Sequence, residues 1–274
     1  MNFYLTRGGD ILKYERKSEE YGEVQVMRFK GEVMLLTVIL SVLPIGFTWT
    51  LTFDFNDPKQ LDEWEVVRDE GGRWTIEDGA LKLTTPNRRW DIIAPKALKD
   101  LDFTDGIIQF KLKWLKGRWC EGGVVYRVKK EEAWQSFYSV HISAWDVTLR
   151  WGPVSNTVAN PGGDWARVVR KPVKGWEKQP VDKWFVFKIE VKGKTHKVWA
   201  APEGEKLELL IDEQDTTYDK GPVGLACYSG EAEEILLDDF SVEGPGIPSA
   251  AVRSVNKLPL TWGAIKSEIV KRIM

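Results

Sequence analysis

In F-Y-S-V-H-I-S-A-W-D-V-T-L-R-W-G, residues 137–152, apolar and polar side chains alternate on both sides of a short break. A period of two marks a strand with unlike faces. It sends Tyr138, Val140 and Ile142 one way and Ser139 and His141 the other. Beyond the break, Val147, Leu149 and Trp151 alternate with Thr148 and Arg150. The same parity assigns Arg127, Gln109 and Lys111 to the polar side of their own segments. Arg, Gln, Ser and His hydrogen-bond sugar hydroxyls or carboxylates. An indole from Trp119, Trp145 or Trp165, on adjoining loops, would stack on a pyranose ring. Together these nine residues outline a saccharide site, and the two arginines favour acidic sugars. The alternative is an ordinary solvent-facing sheet surface. Parity also fails wherever a bulge intervenes, and Gly122-Gly123 is the expected place for one.

Glycoside cleavage needs two carboxyl groups about 5–9 Å apart. An i, i+2 acidic pair on one strand would supply them, and the strands with this polar stripe have none. The acidic runs fall at Glu203–Asp215 and Glu231–Glu234, which read as solvated loops. A pair assembled from loops would draw on Glu121, Asp146 or Asp164, or on His141 beside a carboxylate. With two histidines, His141 and His196, and no surrounding motif, a Ser-His-Asp nucleophile is not supported. Nor do these and two cysteines, Cys120 and Cys227, match zinc-ligand spacing. A structural Ca²⁺ site from Asp54, Asp57, Asp238 and Asp239 follows if the first and last strands pair; the competing reading is turn chemistry, where Asp is common.

The elements that must position these groups are short alternating segments broken by Gly, Pro, Asn and Asp: 51–55, 74–76, 80–84, 107–115, 124–128, 184–191, 197–200, 223–228 and 235–242. No 3.6-residue period is sustained between 49 and 243. The pattern predicts an all-β, two-sheet antiparallel jelly-roll sandwich. Its first and last strands, near F-D-F at 54 and D-D-F-S-V at 240, are expected to pair. Residues 152–182 read as a long loop over the site. Fourteen Trp beside 11 Phe and 7 Tyr suit a thick core, a sugar-binding surface, or both. A net charge of −2 argues against nucleic acid.

Residues 1–26 read as an upstream extension. From Met27, with Arg28 and Lys30 ahead of an apolar run at 33–43, residues 27–48 read as a signal peptide, so export is expected. After the domain at 49–243, residues 244–274 read as a Gly/Pro linker and a short C-terminal helix with Trp262, Ile265, Ile269 and Ile273 on one face. That tail is expected to pack on the body, with a protein partner or an export apparatus as the alternatives.

W-T-I-E-D-G-A-L-K-L (74–83), G-I-I-Q-F-K-L-K-W (106–114), G-G-V-V-Y-R-V (122–128) and K-G-P-V-G-L-A-C-Y-S-G with I-L-L-D-D-F-S-V (220–242) stand in an order that resembles the concanavalin A-like lectin/glucanase superfamily. The likeness is to its laminin-G-like and 3-keto-disaccharide-hydrolase-like domains. It implies a jelly roll with a glycan-binding concave face. The departures are Glu121-Gly122-Gly123 where the latter domains often carry Asn-Ser-Gly, and the missing E-x-D-x-x-E of the glucanases. No catalytic residue is therefore transferred. The leading expectation is an exported, lectin-like glycan-binding domain. The alternatives are a glycoside or 3-keto-disaccharide hydrolase using loop carboxylates or His141, and a non-catalytic cell-surface adhesion protein.

Overall fold

The computed structural model describes residues 49–85, 90–117, 121–130, 133–157, 160–165, 167–176, 183–228 and 233–248, with the backbone of 3–7 and 10–14; for 156–165 only the backbone is described. The first 46 residues form a unit apart from the rest. Within it β1 (Phe3–Arg7) and β2 (Asp10–Tyr14) pair as an antiparallel ribbon, a hairpin that the polar sequence of 1–26 does not announce. The signal-like segment, Cys120, Trp119 and the C-terminal helix lie outside the described residues.

The main body runs through β3 (Trp49–Phe53), a 3-10 turn at Pro58–Glu63, β4 (Trp64–Arg68), β5 (Arg73–Glu77), β6 (Ala80–Thr85), β7 (Trp90–Pro95), β8 (Gly106–Lys116) and β9 (Glu121–Lys129). It continues with β10 (Ser136–Ser143), β11 (Thr148–Thr157), β12 (Asn160–Trp165), β13 (Val169–Pro172), β14 (Trp184–Lys192), β15 (Thr195–Pro202), β16 (Glu208–Gln214), β17 (Val223–Tyr228) and β18 (Glu233–Gly244). Two antiparallel sheets result. The first has the order β12-β11-β10-β9-β17-β7-β4, with β13 on β11; the second has the order β16-β15-β14-β8-β18-β6-β5, with β3 on β18. This is the jelly-roll sandwich that the alternation predicts.

Local chemistry explains the pairing. The β5–β6 turn is Asp78-Gly79, both at positive φ (52° and 76°), as a two-residue hairpin loop requires. Phe53 pairs with Phe240, so the first and last strands of the body do meet. Inward-facing residues alternate along every long strand and fill the space between the sheets with Leu81, Phe110, Tyr126, Tyr138, Trp151, Phe187, Leu237 and their neighbours. Among the described residues seven tryptophans are buried: Trp64, Trp74, Trp90, Trp114, Trp134, Trp151 and Trp176.

Two readings from sequence are corrected. Residues 152–182 are not one loop: β11 continues to Thr157, and β12 and β13 follow as edge strands. The acidic run within 203–215 contains β16, whose Ile211 is buried against the core while its acids face outward.

Candidate functional site

Gly122 and Gly123 set the geometry of β9. Gly122 faces the second sheet, where an added Cβ would lie 2.8 Å from Ile235 and Leu112 side-chain carbons. Gly123 faces outward, and its Cβ would lie 2.1 Å from the Val140 carbonyl oxygen. Gly123 meets backbone and tolerates no side chain, whereas at Gly122 the ends of two flexible side chains would have to shift. The ladder runs through both without a bulge, with His141 paired to Gly123 and Ile142 to Gly122. The bulge lies further along. Arg127 and Val128 together oppose Phe137, and Arg127 sits at φ 50°.

That bulge turns Arg127 away from the polar stripe. Its guanidinium is buried and donates to three backbone carbonyls, of Thr104 (2.5 Å from Nη2), Gly193 (2.7 Å from Nη2) and Tyr218 (3.2 Å from Nη1). Arg127 thus ties together loops from both sheets and belongs to no surface site. Gln109 and Lys111 are also misplaced by parity reasoning, because β8 belongs to the second sheet. Lys111 is 2.6 Å from both Glu203 and Asp239 there.

The remaining residues do line up. Arg150, His141 and Gly123 are consecutive partners across β11, β10 and β9, and Arg170 on β13 extends the row at Arg150's other side. One step along, Ser143 pairs with Glu121. His141 Nε2 is 3.0 Å from Glu121 Oε2, and its Nδ1 is 3.0 Å from Ser139 Oγ. Arg150 Nη1 donates to the other Glu121 oxygen, and its Nη2 donates to Asp146 Oδ2 at 2.7 Å. Burial pushes the Glu121 carboxyl up, but attraction to His141 and Arg150 outweighs it and holds the group below the usual range. Asp146 is likewise low: burial raises it, and bonds from Thr148 and Arg150 more than reverse this.

This face is not wet, as a simple hairpin surface would be. Every residue of β10 is buried, His141 to 1 % exposure. A second apolar cluster of Trp90, Ile92, Val125, Trp134, Phe137, Val154 and Ala226 covers the outer side of the first sheet. Trp90, on β7, meets His141 edge-on with ring centroids 5.9 Å apart. Three strand intervals, about 14 Å, separate those backbones. The indole bridges them only because Ala226 and Gly123, consecutive partners in the row between, are small.

Where the row reaches its hairpin tip, the groups open to solvent. Trp145 is 47 % exposed. Beside it Asp146 accepts from Thr148 Oγ1 at 2.6 Å, and Arg170 Nε lies 3.7 Å from Asp146 Oδ2 with its side chain 53 % exposed. Val147 closes the turn at φ 56°, a conformation costly for a β-branched residue, and these bonds to Asp146 hold it. Arg170 was not among the sequence-derived residues because a four-residue edge strand is too short to show alternation. The side chains of Trp165 and Asp164 lie outside the described residues.

The four aspartates proposed for Ca²⁺ take separate roles. Asp57 caps the 3-10 turn by accepting from the Lys59 amide, Asp239 pairs with Lys111, and Asp54 accepts from Gln60 Nε2 at 2.9 Å. Asp238 is raised to about 6 by burial and by the neighbouring Asp239 and Asp54 charges. Among the described residues no group of three or more His, Cys, Asp or Glu is placed to hold a metal ion.

A third polar group lies between the sheets and was missed. Trp151 Nε1 donates to Tyr126 Oη at 2.8 Å, and Tyr126 Oη is 2.9 Å from His196 Nδ1. Tyr138 Oη donates to Asp215 Oδ1 at 2.5 Å. Parity in T-H-K-V-W-A would have pointed His196 inward with Val198 and Ala200.

The architecture is that of two-layer antiparallel sandwiches with a polar row across one sheet. The chain belongs to the 3-keto-alpha-glucoside-1,2-lyase-like domain family, whose model matches residues 48–238. Solved structures share the fold at low identity. A carbohydrate-binding module, CBM66 from Bacillus subtilis, is 15 % identical with a TM-score of 0.50, covering 66 % of this chain and 96 % of its own. Crh5 transglycosylase in complex with NAG is 12 % identical with a TM-score of 0.52, covering 72 % and 86 %. SCLam, a non-specific endo-β-1,3(4)-glucanase, is 12 % identical with a TM-score of 0.51, covering 72 % and 91 %. No curated protein sequence matches the chain.

Proposed function

We propose that this chain is a non-catalytic, exported saccharide-recognition domain whose ligand sits at the β10–β11 tip. The observation that carries the reading is Trp145, half-exposed on a turn pinned through Asp146 to Thr148 and Arg150. An indole held in this way offers an apolar platform for a pyranose face, with Asp146 and Arg170 beside it for hydroxyl groups. Relatives of this fold include a carbohydrate-binding module and a transglycosylase in complex with NAG, which supports a sugar ligand. Glu121 and His141 are committed to one another and to Arg150 and Ser139, so neither presents a free atom to a substrate. A glycan array followed by affinity electrophoresis tests the proposal: binding is expected, and Trp145→Ala abolishes it. An absence of binding, or retention of affinity by that variant, refutes it. Mass measurement of the mature N-terminus tests export, with cleavage after residues 27–48 expected.

A second reading is favoured by the 3.0 Å His141–Glu121 contact and the family's lyase-like character. In it, the pair parts as substrate enters, and His141 removes the proton on the carbon next to the sugar ketone while Glu121 orients the imidazole. A carbon–carbon double bond forms, and the glycosidic C–O bond on the following carbon breaks with its electron pair leaving on the aglycone oxygen. Consumption of a 3-keto-glucoside by the wild type, lost in both His141→Ala and Glu121→Gln, would establish this reading over the first.

A further inference from the structure

The outer face of the second sheet carries an apolar diagonal with no counterpart in the site above. Partly exposed Trp184 and Val186 on β14 alternate with buried Phe185 and Phe187, and partly exposed Trp199 on β15 stands between buried Val198 and Ala200, with Ala201 beyond them also buried. Val186 pairs with Ala201, and Trp199 with Leu209 of β16, which is 47 % exposed. Lys113 and Lys188 lie over the two indoles, 5.2 Å and 5.1 Å from the ring centroids. Flexible four-carbon stems let both ammonium groups swing aside. The row next to Trp199 runs Glu243, Ile107, Glu190, Lys197 across β18, β8, β14 and β15. Glu190 and Glu243 make no ion pair among the described residues.

The last 26 residues of the chain fit this surface in charge, pattern and reach. Residues 249–274 hold five basic side chains, Arg253, Lys257, Lys266, Lys271 and Arg272, against the single acid Glu268, in a chain whose net charge is −2. The body is therefore the acidic partner. Trp262, Ile265, Ile269 and Ile273 recur at helical spacing. A 15-residue helix over 259–273 is about 22 Å long, comparable with the diagonal. The body's chain leaves β18 at Gly244, adjacent to Glu243 and three strand intervals, about 14 Å, from β15. Residues 249–258 span up to about 35 Å when extended, so they bridge that distance easily.

We infer that residues 259–273 dock as an amphipathic helix on the Trp184–Val186–Trp199–Leu209 diagonal of the same chain. The tail's apolar face covers the indoles, and its basic side chains reach Glu190 and Glu243.

Hydrogen exchange and carbodiimide cross-linking on the full chain test this together. The expected result is amide exchange in 259–273 slowed at least about tenfold relative to an unstructured peptide, with intramolecular cross-links from Lys266 or Lys271 to Glu190 or Glu243. The double variant Trp199→Ser/Leu209→Ser should lose the protection, and Glu190→Lys/Glu243→Lys should lose the cross-links and weaken the protection. Leu209 is exposed and Trp199, Glu190 and Glu243 are partly exposed, so retained near-ultraviolet circular dichroism and a cooperative urea transition would verify that the variants fold. Three results would overturn the inference: an unprotected tail in the wild type, protection that arises only on adding phosphatidylserine vesicles, or cross-links solely between two copies of the chain.

Discussion

His196 ties stability to pH in a way that can be worked from the interior of the sandwich. Trp151 Nε1 can only donate, and it donates to Tyr126 Oη. The Tyr126 hydroxyl then sends its own proton to His196 Nδ1, which leaves Nε2–H directed at the Asp215 carbonyl, 3.4 Å away. The ring is wedged among Tyr126, Tyr138 and Trp151, with centroids 4.5–5.8 Å apart. A second proton on Nδ1 would face the Tyr126 hydroxyl with two donors. Burial, and then the Arg127 charge, accordingly push His196 down to about 4 from 6.5. An unfolded histidine binds its proton near pH 6.5, whereas the folded one resists until about pH 4. Stability from this group is therefore complete above about pH 6.5 and falls as pH drops toward 4. A depression of this size corresponds to about 3 kcal/mol. Urea unfolding between pH 7.5 and 4 reads it directly. His196→Gln should be less stable than wild type at pH 7.5, yet lose about 3 kcal/mol less on acidification, since titrating carboxylates are common to both proteins and cancel. Parallel pH profiles for the two proteins, or a His196 titration midpoint near 6.5 by NMR, would refute the reasoning.

Arg127→Ala should lower stability by about 1–3 kcal/mol in urea, because the buried Tyr218 carbonyl loses its donor while the Thr104 and Gly193 carbonyls, on exposed residues, turn to water. Gly123→Ala should cost about 1–3 kcal/mol through its collision with the Val140 carbonyl, and near-ultraviolet circular dichroism should report displacement of Trp90. Trp145→Ala should remove saccharide binding while lowering stability by no more than about 2 kcal/mol, since only about half of the side chain is buried. Asp238 is neutral more readily when folded, so its contribution is present at acid pH and lost as pH rises through about 6. Asp238→Asn should therefore stabilise the protein at pH 7.5 but not at pH 4, by about 1 kcal/mol once solvent contact is discounted.

The sheets were legible in the sequence wherever a strand alternates over many residues, as β8 and β10 do, and where Asp78-Gly79 declares a turn. Parity within β10 and β11 correctly put Ser139, His141 and Arg150 on one face, because their register is pinned by buried Val140, Ile142 and Leu149. It failed for Arg127, since a bulge depends on pairing with Phe137 rather than on anything local to β9. It failed for Gln109 and Lys111 because alternation gives the face of a strand but not the sheet that strand joins. The covering of that face could not be read either: Trp90 lies 51 residues from His141, and nothing local to either segment joins them.

The register of β8 has a consequence for orientation. Its first residue, Gly106, lies at the level of Trp49 and Gly244, where the chain enters and leaves the body, while its far end turns toward Glu121. Eleven residues of strand put about 35 Å between those two poles. Both flanks therefore join the body at one pole, and Trp145, on the turn after β10, lies toward the other.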